Sequence, residues 1–256
     1  MRYLTPQELT STNRDEARAI LTHCAGKSVR DLFAIAVFNN YHDRSFGRRA
    51  TTKILDLGAA SGTFLRQLHA ENYRELFGVD IDEYVAAENR TFLREFRTVD
   101  FSNGQLPWPG ASFDVATAWC VLPHLENPFH CVREIARVLV PGGLFVFTTP
   151  FLTSKPSRDY FAEHGDFKSY RRTNNHIVLF PPGVMAKTIF RYFEPIGIEY
   201  HARLAKIFRG PKGKLREMAY RMSGLYRPWQ KRLEARWAYN IVYVTRRKSE
   251  TQEAPA

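Results

Sequence analysis

The sequence has few cysteines, and those present follow no pattern. Its three cysteines, Cys24, Cys120 and Cys131, are odd in number and widely separated. Disulfide frameworks and zinc motifs need cysteine and histidine at short, regular spacings, so the spacing predicts neither a disulfide scaffold nor a metal site. Scarce, unpaired cysteine is typical of a reducing compartment, and we expect a cytoplasmic protein.

Long apolar runs are also missing. The longest candidate, LFAIAVF at 32–38, is far below the roughly 20 residues that a membrane span needs. The first twenty residues contain Glu8, Asp15 and Glu16 and no apolar block, which excludes a secretory signal. No internal repeat or low-complexity tract is visible. We expect a globular protein without a transmembrane segment.

Positive charge is concentrated near the C-terminus. Residues 201–248 contain 14 Lys/Arg and 2 Glu, an excess of 12, so the net charge of +11 leaves the rest of the chain at −1. Within this quarter, KLREMAYRMSGL places apolar residues at three- and four-residue steps among basic ones, which predicts an amphipathic basic helix. Such a surface attracts phosphates, nucleic acid or an anionic membrane; a merely solvated helix face is the alternative.

The arrangement of apolar runs predicts an α/β fold. Helices are expected over 6–24 and 28–40, followed by strands at 53–57, 75–79, 96–99, 113–119 and 144–149 with helices at 62–72, 83–95 and 125–139 between them. This alternation predicts a Rossmann-like open sheet, mostly parallel, with helices on both faces. A helix at 182–193, a strand at 196–207 and a final antiparallel strand, YNIVYVTRR, complete it. We divide the chain into an N-terminal helical cap (1–50), a core (51–150), the rest of the sheet with a substrate-side insert and the basic helix (151–248), and a disordered tail (249–256).

The junction ILDLGAASGTFLRQL, residues 54–68, is the strongest local signal. An apolar strand carries Asp56 near its end and is followed by a small-residue turn with Gly58 and Gly62. Glycine permits a sharp turn and the close approach of a ligand, at the strand end where open parallel sheets bind ligands. Asp56 offers a carboxylate to a positive ligand group. The alternative is that the small residues serve only the tight packing of the turn and bind no ligand.

Two further acids follow at the ends of the next strands. LFGVDID ends its strand in Asp80, a position suited to accepting both hydroxyls of an adenosine ribose. Asp82 fits a helix N-cap better than Asp80 does. Asp100 with Phe101 can hold an adenine by an amine hydrogen bond and a stacked ring, and a strand-end turn is the alternative.

Together these motifs resemble the class I S-adenosylmethionine-dependent methyltransferases. LDLGAASG, GVDID, VDF, LPWPGASFDVATAWCVLPHLENP and IARVLVPGGLFVFTTP occur in the family's order over about 53–150. The resemblance implies S-adenosylmethionine as cofactor. It implies a cofactor site made of Asp56, Gly58, Ala60, Gly62, Asp80, Ile81, Asp100, Phe101 and Trp119.

The chain departs from the family pattern at three positions. Ala60 stands where the family usually has glycine, and Cys120 and Pro123 replace positions that are often acidic. A dinucleotide is disfavoured, because G-x-G-x-x-G would need glycine at 60 and 63, where the chain has Ala60 and Thr63.

The substrate side is less defined. His124, His164 and Tyr170 are the candidate bases for a hydroxyl acceptor, although each histidine also fits a structural role. The insert HGDFKSYRRT loosely resembles the H-D-Y-x-R-x-T phrase of small-molecule and glycan-linked methyltransferases, and Arg171 and Arg172 suit an acidic or phosphorylated acceptor. We expect methyl transfer to an oxygen or nitrogen atom of a small-molecule, glycan or lipid-linked acceptor, with an anionic membrane surface as a second partner. An RNA methyltransferase using the basic quarter and a non-catalytic cofactor-fold protein are the alternatives.

Overall fold

The computed structural model describes residues 29–171, 174–202 and 226–249. The helix predicted over 6–24, the basic segment 212–225 and the tail from residue 250 lie outside the described residues, as does Arg172. The division of the chain into four regions therefore stays a prediction.

In the described part of the chain, seven strands form one sheet in the order β3-β2-β1-β4-β5-β7-β6. β1 to β5 are parallel, and β7 runs antiparallel to both of its neighbours, β5 and β6. The predicted Rossmann-like, mostly parallel sheet with an antiparallel last strand is confirmed. The strands are β1 Lys53–Leu57, β2 Glu75–Asp80, β3 Glu95–Thr98, β4 Phe113–Ala118, β5 Leu139–Pro150, β6 Phe193–His201 and β7 Asn240–Arg247.

Helices cover both faces of the sheet, because β1 and its neighbours alternate apolar side chains between two cores. Ile54 packs with the helices Val29–Ser45 and Thr63–Ala70, whereas Leu55 and Leu57 pack with the helices Pro128–Val138, Pro182–Lys187 and Ile189–Tyr192. None of the helices in the described ranges is long and apolar enough to cross a membrane. The helices are α1 Val29–Ser45, α2 Thr63–Ala70, α3 Ala87–Arg90, α4 Pro128–Val138, α5 Lys155–His164, α6 Pro182–Lys187, α7 Ile189–Tyr192 and α8 Tyr226–Trp237, with 3₁₀ turns at Leu122–His124 and Lys168–Tyr170.

The helix predicted over 83–95 is wrong for most of its length, because only α3 forms there. The carboxylate of Asp82 accepts the N–H of Glu83 at 2.9 Å instead of capping a helix. The N–H of Ala86 donates to the carbonyl oxygen of Ser61 at 3.2 Å, which ties the segment to the loop after β1. The helix predicted over 182–193 is likewise divided in two at Thr188, where φ is −123°.

The helix α1 joins the sheet at its far edge. The hydroxyl of Tyr41 donates to Oε1 of Glu199 on β6 at 2.9 Å. A Cβ added to Gly197 would lie 2.2 Å from the Tyr41 hydroxyl oxygen, so the side chain of α1 fits only because β6 has glycine there.

Candidate active site

The carboxyl edge of the sheet brings four loops together. The strand order reverses between β1 and β4, so the loops 58–62, 81–86, 99–104 and 119–124 follow the strands that flank this point. Open parallel sheets bind ligands at such a position. None of these four loops contains Lys or Arg. A diphosphate would meet no cation there, whereas a positively charged ligand would meet acids.

The loop after β1 has the sharp turn that its sequence predicts. The φ angles of Gly58, Ala60 and Gly62 are +70°, +46° and +78°. A Cβ on Gly58 would lie 2.4 Å from Cγ2 of Val121, so this position requires glycine for both space and conformation. The N–H of Gly58 donates to the carbonyl oxygen of Val79 at 2.8 Å, which fixes the loop against β2.

Asp56 is a buried acid one residue before the end of β1. Its Oδ1 accepts the hydroxyl proton of Thr117 on β4 at 2.6 Å. Burial raises the pKa of Asp56 to about 7, the Thr117 hydrogen bond opposes this, and the charge of Asp80 adds to it. Because burial opposes the ionised form, a nearby cation would stabilise this carboxylate.

Asp80 ends β2 and reaches across to the loop after β1. Its two oxygens accept the N–H of Ala60 at 2.8 Å and that of Ile81 at 2.7 Å. Burial raises the pKa of Asp80 to about 6, although both backbone hydrogen bonds lower it. A carboxylate has about four acceptor sites, so Asp80 keeps capacity for ligand hydroxyls.

Asp100 and Phe101, the residues predicted to contact adenine, are engaged in contacts within the protein. Asp100 lies two residues beyond β3, and its Oδ1 accepts the N–H of Ser102 at 3.0 Å, the strand-end turn that was its alternative role. Phe101 is 5% exposed and belongs to the core on the α4 side of the sheet. Only a small part of its ring is available to a ligand, and its stacking role stays a prediction.

Trp119 follows β4 directly and leaves one donor unsatisfied. Its Nε1 is buried without a hydrogen-bond partner among the described residues, and its ring contacts that of Phe64 edge-on at 5.2 Å. Buried donors normally have partners. The glycine turn, the acids Asp56 and Asp80 and this donor together fit a ligand with a positive centre, hydroxyls and an acceptor, which is the chemistry of S-adenosylmethionine.

A cluster of Cys120, His124 and His176 adjoins this edge, with ligand atoms that all lie within 4.8 Å of one another. The Cys120 Sγ to His176 Nε2 distance is 3.6 Å, and the two imidazole centres are 4.4 Å apart. Burial lowers the pKa of His124 to about 4, the neighbouring His176 adds to this, and hydrogen bonding to Asn175 opposes it. His124 is thus a neutral imidazole at neutral pH.

The other two predicted bases are placed differently. His164 is exposed, its Nδ1 donates to the carbonyl oxygen of Tyr160 at 3.2 Å, and its ring stacks on Tyr160 at 4.1 Å. The hydroxyl of Tyr170 donates to the carbonyl oxygen of Val178 at 2.9 Å, and burial raises its pKa. Tyr170 adjoins the cluster, because its ring centre lies 5.4 Å from that of His176. Its hydroxyl proton is already donated to Val178.

The cluster brings together three residues that do not all lie close together in the sequence, and the prediction of no metal site stays untested. Cys120 and His176 are 56 positions apart and share no sequence motif. The one available signal was the i, i+4 pair of Cys120 and His124 directly after a buried strand. His176 joins them because the N–H of Ile177 donates to the carbonyl oxygen of Pro123 at 2.8 Å.

A separate cavity of about 240 Å³ lies between α4 and the α6–α7 segment. Arg133, Lys187 and Arg191 are among its lining residues, and no lining residue comes from the loops at the carboxyl edge. This cavity is therefore not part of the candidate site.

Comparison with known sequences matches residues 55–147 to a family model described as a methyltransferase domain. A Mycolicibacterium smegmatis protein named "Probable S-adenosylmethionine-dependent methyltransferase" is 35% identical over 122 residues, 46% of this chain and 46% of that protein. The ubiquinone biosynthesis O-methyltransferase of Idiomarina loihiensis is 32% identical over 123 residues, 45% of this chain and 47% of that protein. The chain thus spans about half the length of the relatives it matches.

Comparison of structures extends the likeness to most of the chain. The crystal structure of the Burkholderia thailandensis 1,6-didemethyltoxoflavin-N1-methyltransferase, with bound 1,6-didemethyltoxoflavin and S-adenosylhomocysteine, superposes with a TM-score of 0.61. The match covers 97% of this chain and 93% of that protein at 15% identity. At this identity the likeness shows a shared fold.

Proposed function

We propose that this chain, whose residues 55–147 match a methyltransferase domain and whose fold is that of the class I S-adenosylmethionine-dependent methyltransferases, transfers a methyl group from S-adenosylmethionine to an oxygen or nitrogen atom. The resemblance to the family is confirmed for that segment and for the fold. The activity and the acceptor are our proposal.

One observation carries the proposal: two buried acids, Asp56 and Asp80, lie at the carboxyl ends of neighbouring strands, beside a glycine turn and loops that lack Lys and Arg. Burying a carboxylate without a compensating charge is unfavourable. A sulfonium cofactor supplies that charge. Asp80 suits the ribose hydroxyls, and Asp56 with the Gly58–Gly62 turn suits the methionine end.

S-adenosylmethionine supplies an activated methyl group when bound. The chain's contribution is to hold the acceptor in line, exclude water and receive the acceptor's proton. His124 and His176 adjoin the edge as neutral imidazoles, since burial lowers both of their pKa values. His124 adjoins this edge, whereas the ring of His164 is exposed and bound within its own helix; His124 is therefore the better placed of the two, although its lowered pKa makes it a weak base.

A small-molecule or lipid-linked acceptor fits best. Two of the similar proteins described above are named for small molecules: a ubiquinone biosynthesis O-methyltransferase and a 1,6-didemethyltoxoflavin-N1-methyltransferase. A phosphorylated acceptor and an anionic membrane surface depend on residues 201–248, of which 203–225 lie outside the described residues. RNA remains the competing acceptor and rests on the same basic quarter.

Calorimetry with S-adenosylmethionine tests the cofactor proposal. We expect the wild type to bind and Asp80→Asn to bind at least about tenfold more weakly, because it loses a charged acceptor. Asp114→Asn is the matched control, since Asp114 accepts the N–H of Lys53 at the opposite end of the sheet. Absence of binding by the wild type would favour a non-catalytic protein.

Transfer of a radiolabelled methyl group tests the acceptor. The enzyme is incubated with labelled cofactor and, separately, with polar metabolites, total lipid and total RNA. We expect label in the metabolite or lipid fraction, and label confined to RNA would contradict the proposed acceptor class.

A further inference from the structure

We propose that Cys120, His124 and His176 bind one Zn²⁺ ion, with a fourth coordination position open toward the acceptor. The three side chains are half-buried, and their ligand atoms lie within 4.8 Å of one another. One thiolate and two imidazoles form a donor set that suits zinc rather than Mg²⁺ or Ca²⁺, which prefer oxygen. Three protein ligands plus one open position is the composition of a catalytic zinc site.

The distance between the sulfur and nitrogen donors fits a tetrahedral ion. Zinc–sulfur and zinc–nitrogen bonds of about 2.3 and 2.0–2.1 Å at a tetrahedral angle put the two donors roughly 3.5 Å apart. Cys120 Sγ and His176 Nε2 are 3.6 Å apart. These two ligands need almost no movement to share an ion.

His176 is oriented as metal-binding histidines usually are. Its Nδ1 donates to the carbonyl oxygen of Ser169 at 2.6 Å. Because a carbonyl only accepts, the proton is on Nδ1, and the lone pair of Nε2 points toward Cys120. A ligand histidine typically gives its other N–H to a carbonyl or carboxylate in this way.

His124 contributes an imidazole nitrogen that lacks a partner. Its Nδ1 is buried and makes no hydrogen bond to the described residues. Leaving such an atom unsatisfied is unfavourable, and coordination of an ion would satisfy it.

The backbone holds the cluster in place before any ligand arrives. The N–H groups of Ile177 and Val178 both donate to the carbonyl oxygen of Pro123, at 2.8 and 3.2 Å, which joins the two segments. Cys120 has a φ of +61°, unfavourable for a residue with a side chain, and its N–H donates to Oγ1 of Thr148 at 2.6 Å. Strain of this kind is retained mainly at functional positions.

The location gives the ion a role. Cys120 is two residues beyond β4, beside the reversal of strand order where the acceptor must lie. With zinc bound, His124 is a ligand and not a base: the ion would lower the pKa of a bound acceptor hydroxyl, the proton would pass to solvent, and the oxygen would bond to the methyl carbon as the carbon–sulfur bond of the cofactor breaks. This role rests on the proposed methyl transfer, whereas zinc binding itself does not.

Metal content and cobalt spectroscopy test the site on the full chain. The protein is stripped with chelator, reloaded with Zn²⁺ and assayed by mass spectrometry; a second sample is loaded with Co²⁺. We expect about one Zn²⁺ per chain and a thiolate-to-cobalt charge-transfer band.

Variants assign the ligands. Cys120→Gly removes the thiolate and favours the left-handed backbone, so lost metal binding cannot be attributed to misfolding. We expect it and His176→Gln to weaken Zn²⁺ binding at least ~100-fold and Cys120→Gly to abolish the charge-transfer band. His69→Gln and Cys131→Ala are controls outside the cluster, and Cys24→Ser tests the cysteine outside the described residues.

Two results would overturn the proposal. One is a wild type that retains no more Zn²⁺ than Cys120→Gly. The other is a cobalt band that persists in Cys120→Gly, or a band lost in Cys24→Ser instead. The first result would leave Cys120 and His176 as a hydrogen-bonded pair without metal. Calorimetry with S-adenosylmethionine on the same samples separates this failure from failure of the proposed function.

Discussion

The ionisation of Asp56 provides a quantitative test of how deeply the site is buried. Asp56→Asn keeps an oxygen that can accept the Thr117 hydroxyl but cannot ionise. Burial raises the pKa of Asp56 from 3.8 to about 7. Unfolding exposes the group, so between about pH 4 and 7 the folded protein holds more protons than the unfolded one, and the stability contributed by the neutral acid is lost as the pH rises.

The magnitude follows from the shift. One pKa unit corresponds to about 1.4 kcal/mol, so the full shift of Asp56 amounts to about 4 kcal/mol above pH 7. The unfolding free energy of Asp56→Asn relative to wild type should therefore rise by about 3 kcal/mol between pH 5 and pH 8. An unsatisfied N–H of the new amide would lower the unfolding free energy of Asp56→Asn by about 1–3 kcal/mol at every pH. The change of this free energy with pH would stay the same.

Urea denaturation followed by circular dichroism at pH 5, 6.5 and 8 measures the slope. Asp114→Asn, which replaces an acid at the opposite end of the sheet, controls for general charge effects. Parallel pH profiles for wild type and Asp56→Asn would refute the reasoning, because the carboxyl would then be solvated. The same variant should bind S-adenosylmethionine more weakly, since an amide offers no charge to the cation.

Three further predictions concern neighbouring residues. S-adenosylmethionine affinity should fall by at least about tenfold from pH 8 to pH 5 by calorimetry, because Asp80, with its pKa near 6, and Asp56, with its pKa near 7, both become protonated; Asp80→Asn should show a shallower fall, and an equally steep one would contradict this. Gly58→Ala should lower the unfolding free energy by about 2–5 kcal/mol, and Val121→Ala in the same chain should restore part of it by removing the 2.4 Å contact; additive losses would contradict this. Ala60→Gly should raise the melting temperature, since relieving φ of +46° gains about 1–2 kcal/mol against an entropic loss of about 0.5–1; a lower melting temperature would show that the alanine is unstrained.

The cofactor side of the site was predictable because its residues share one physical origin. Asp56 lies one residue before the end of its strand and Asp80 ends its strand, and parallel strands put their carboxyl ends at one edge. Strand pattern and chain order were enough to bring them together. Phe101 shows the limit of this reasoning, because a strand-end position does not reveal which side chains turn into the core.

The substrate side depends on tertiary contacts that no periodicity encodes. His176 reaches Cys120 through backbone hydrogen bonds between two irregular segments, at Ile177 and Pro123. The short α3 has a similar cause, since Ala86 bonds to the loop after β1 instead of continuing a helix. Local propensity favoured a longer helix, and a contact between loops prevailed.

The position of β7 determines the order in which the sheet can be completed. Because β7 lies between β5 and β6, the ribosome synthesises β6 before β7, the one strand that pairs with β6 in the described sheet. The five parallel strands can assemble first, with the flank of β5 left as an unprotected edge prone to mispairing. Once residues 240–247 have been synthesised, β7 can pair with β5 and with β6 in one step. The backbone amides of β6 and β7 should consequently exchange as a single cooperative unit, separate from those of the five parallel strands β1 to β5.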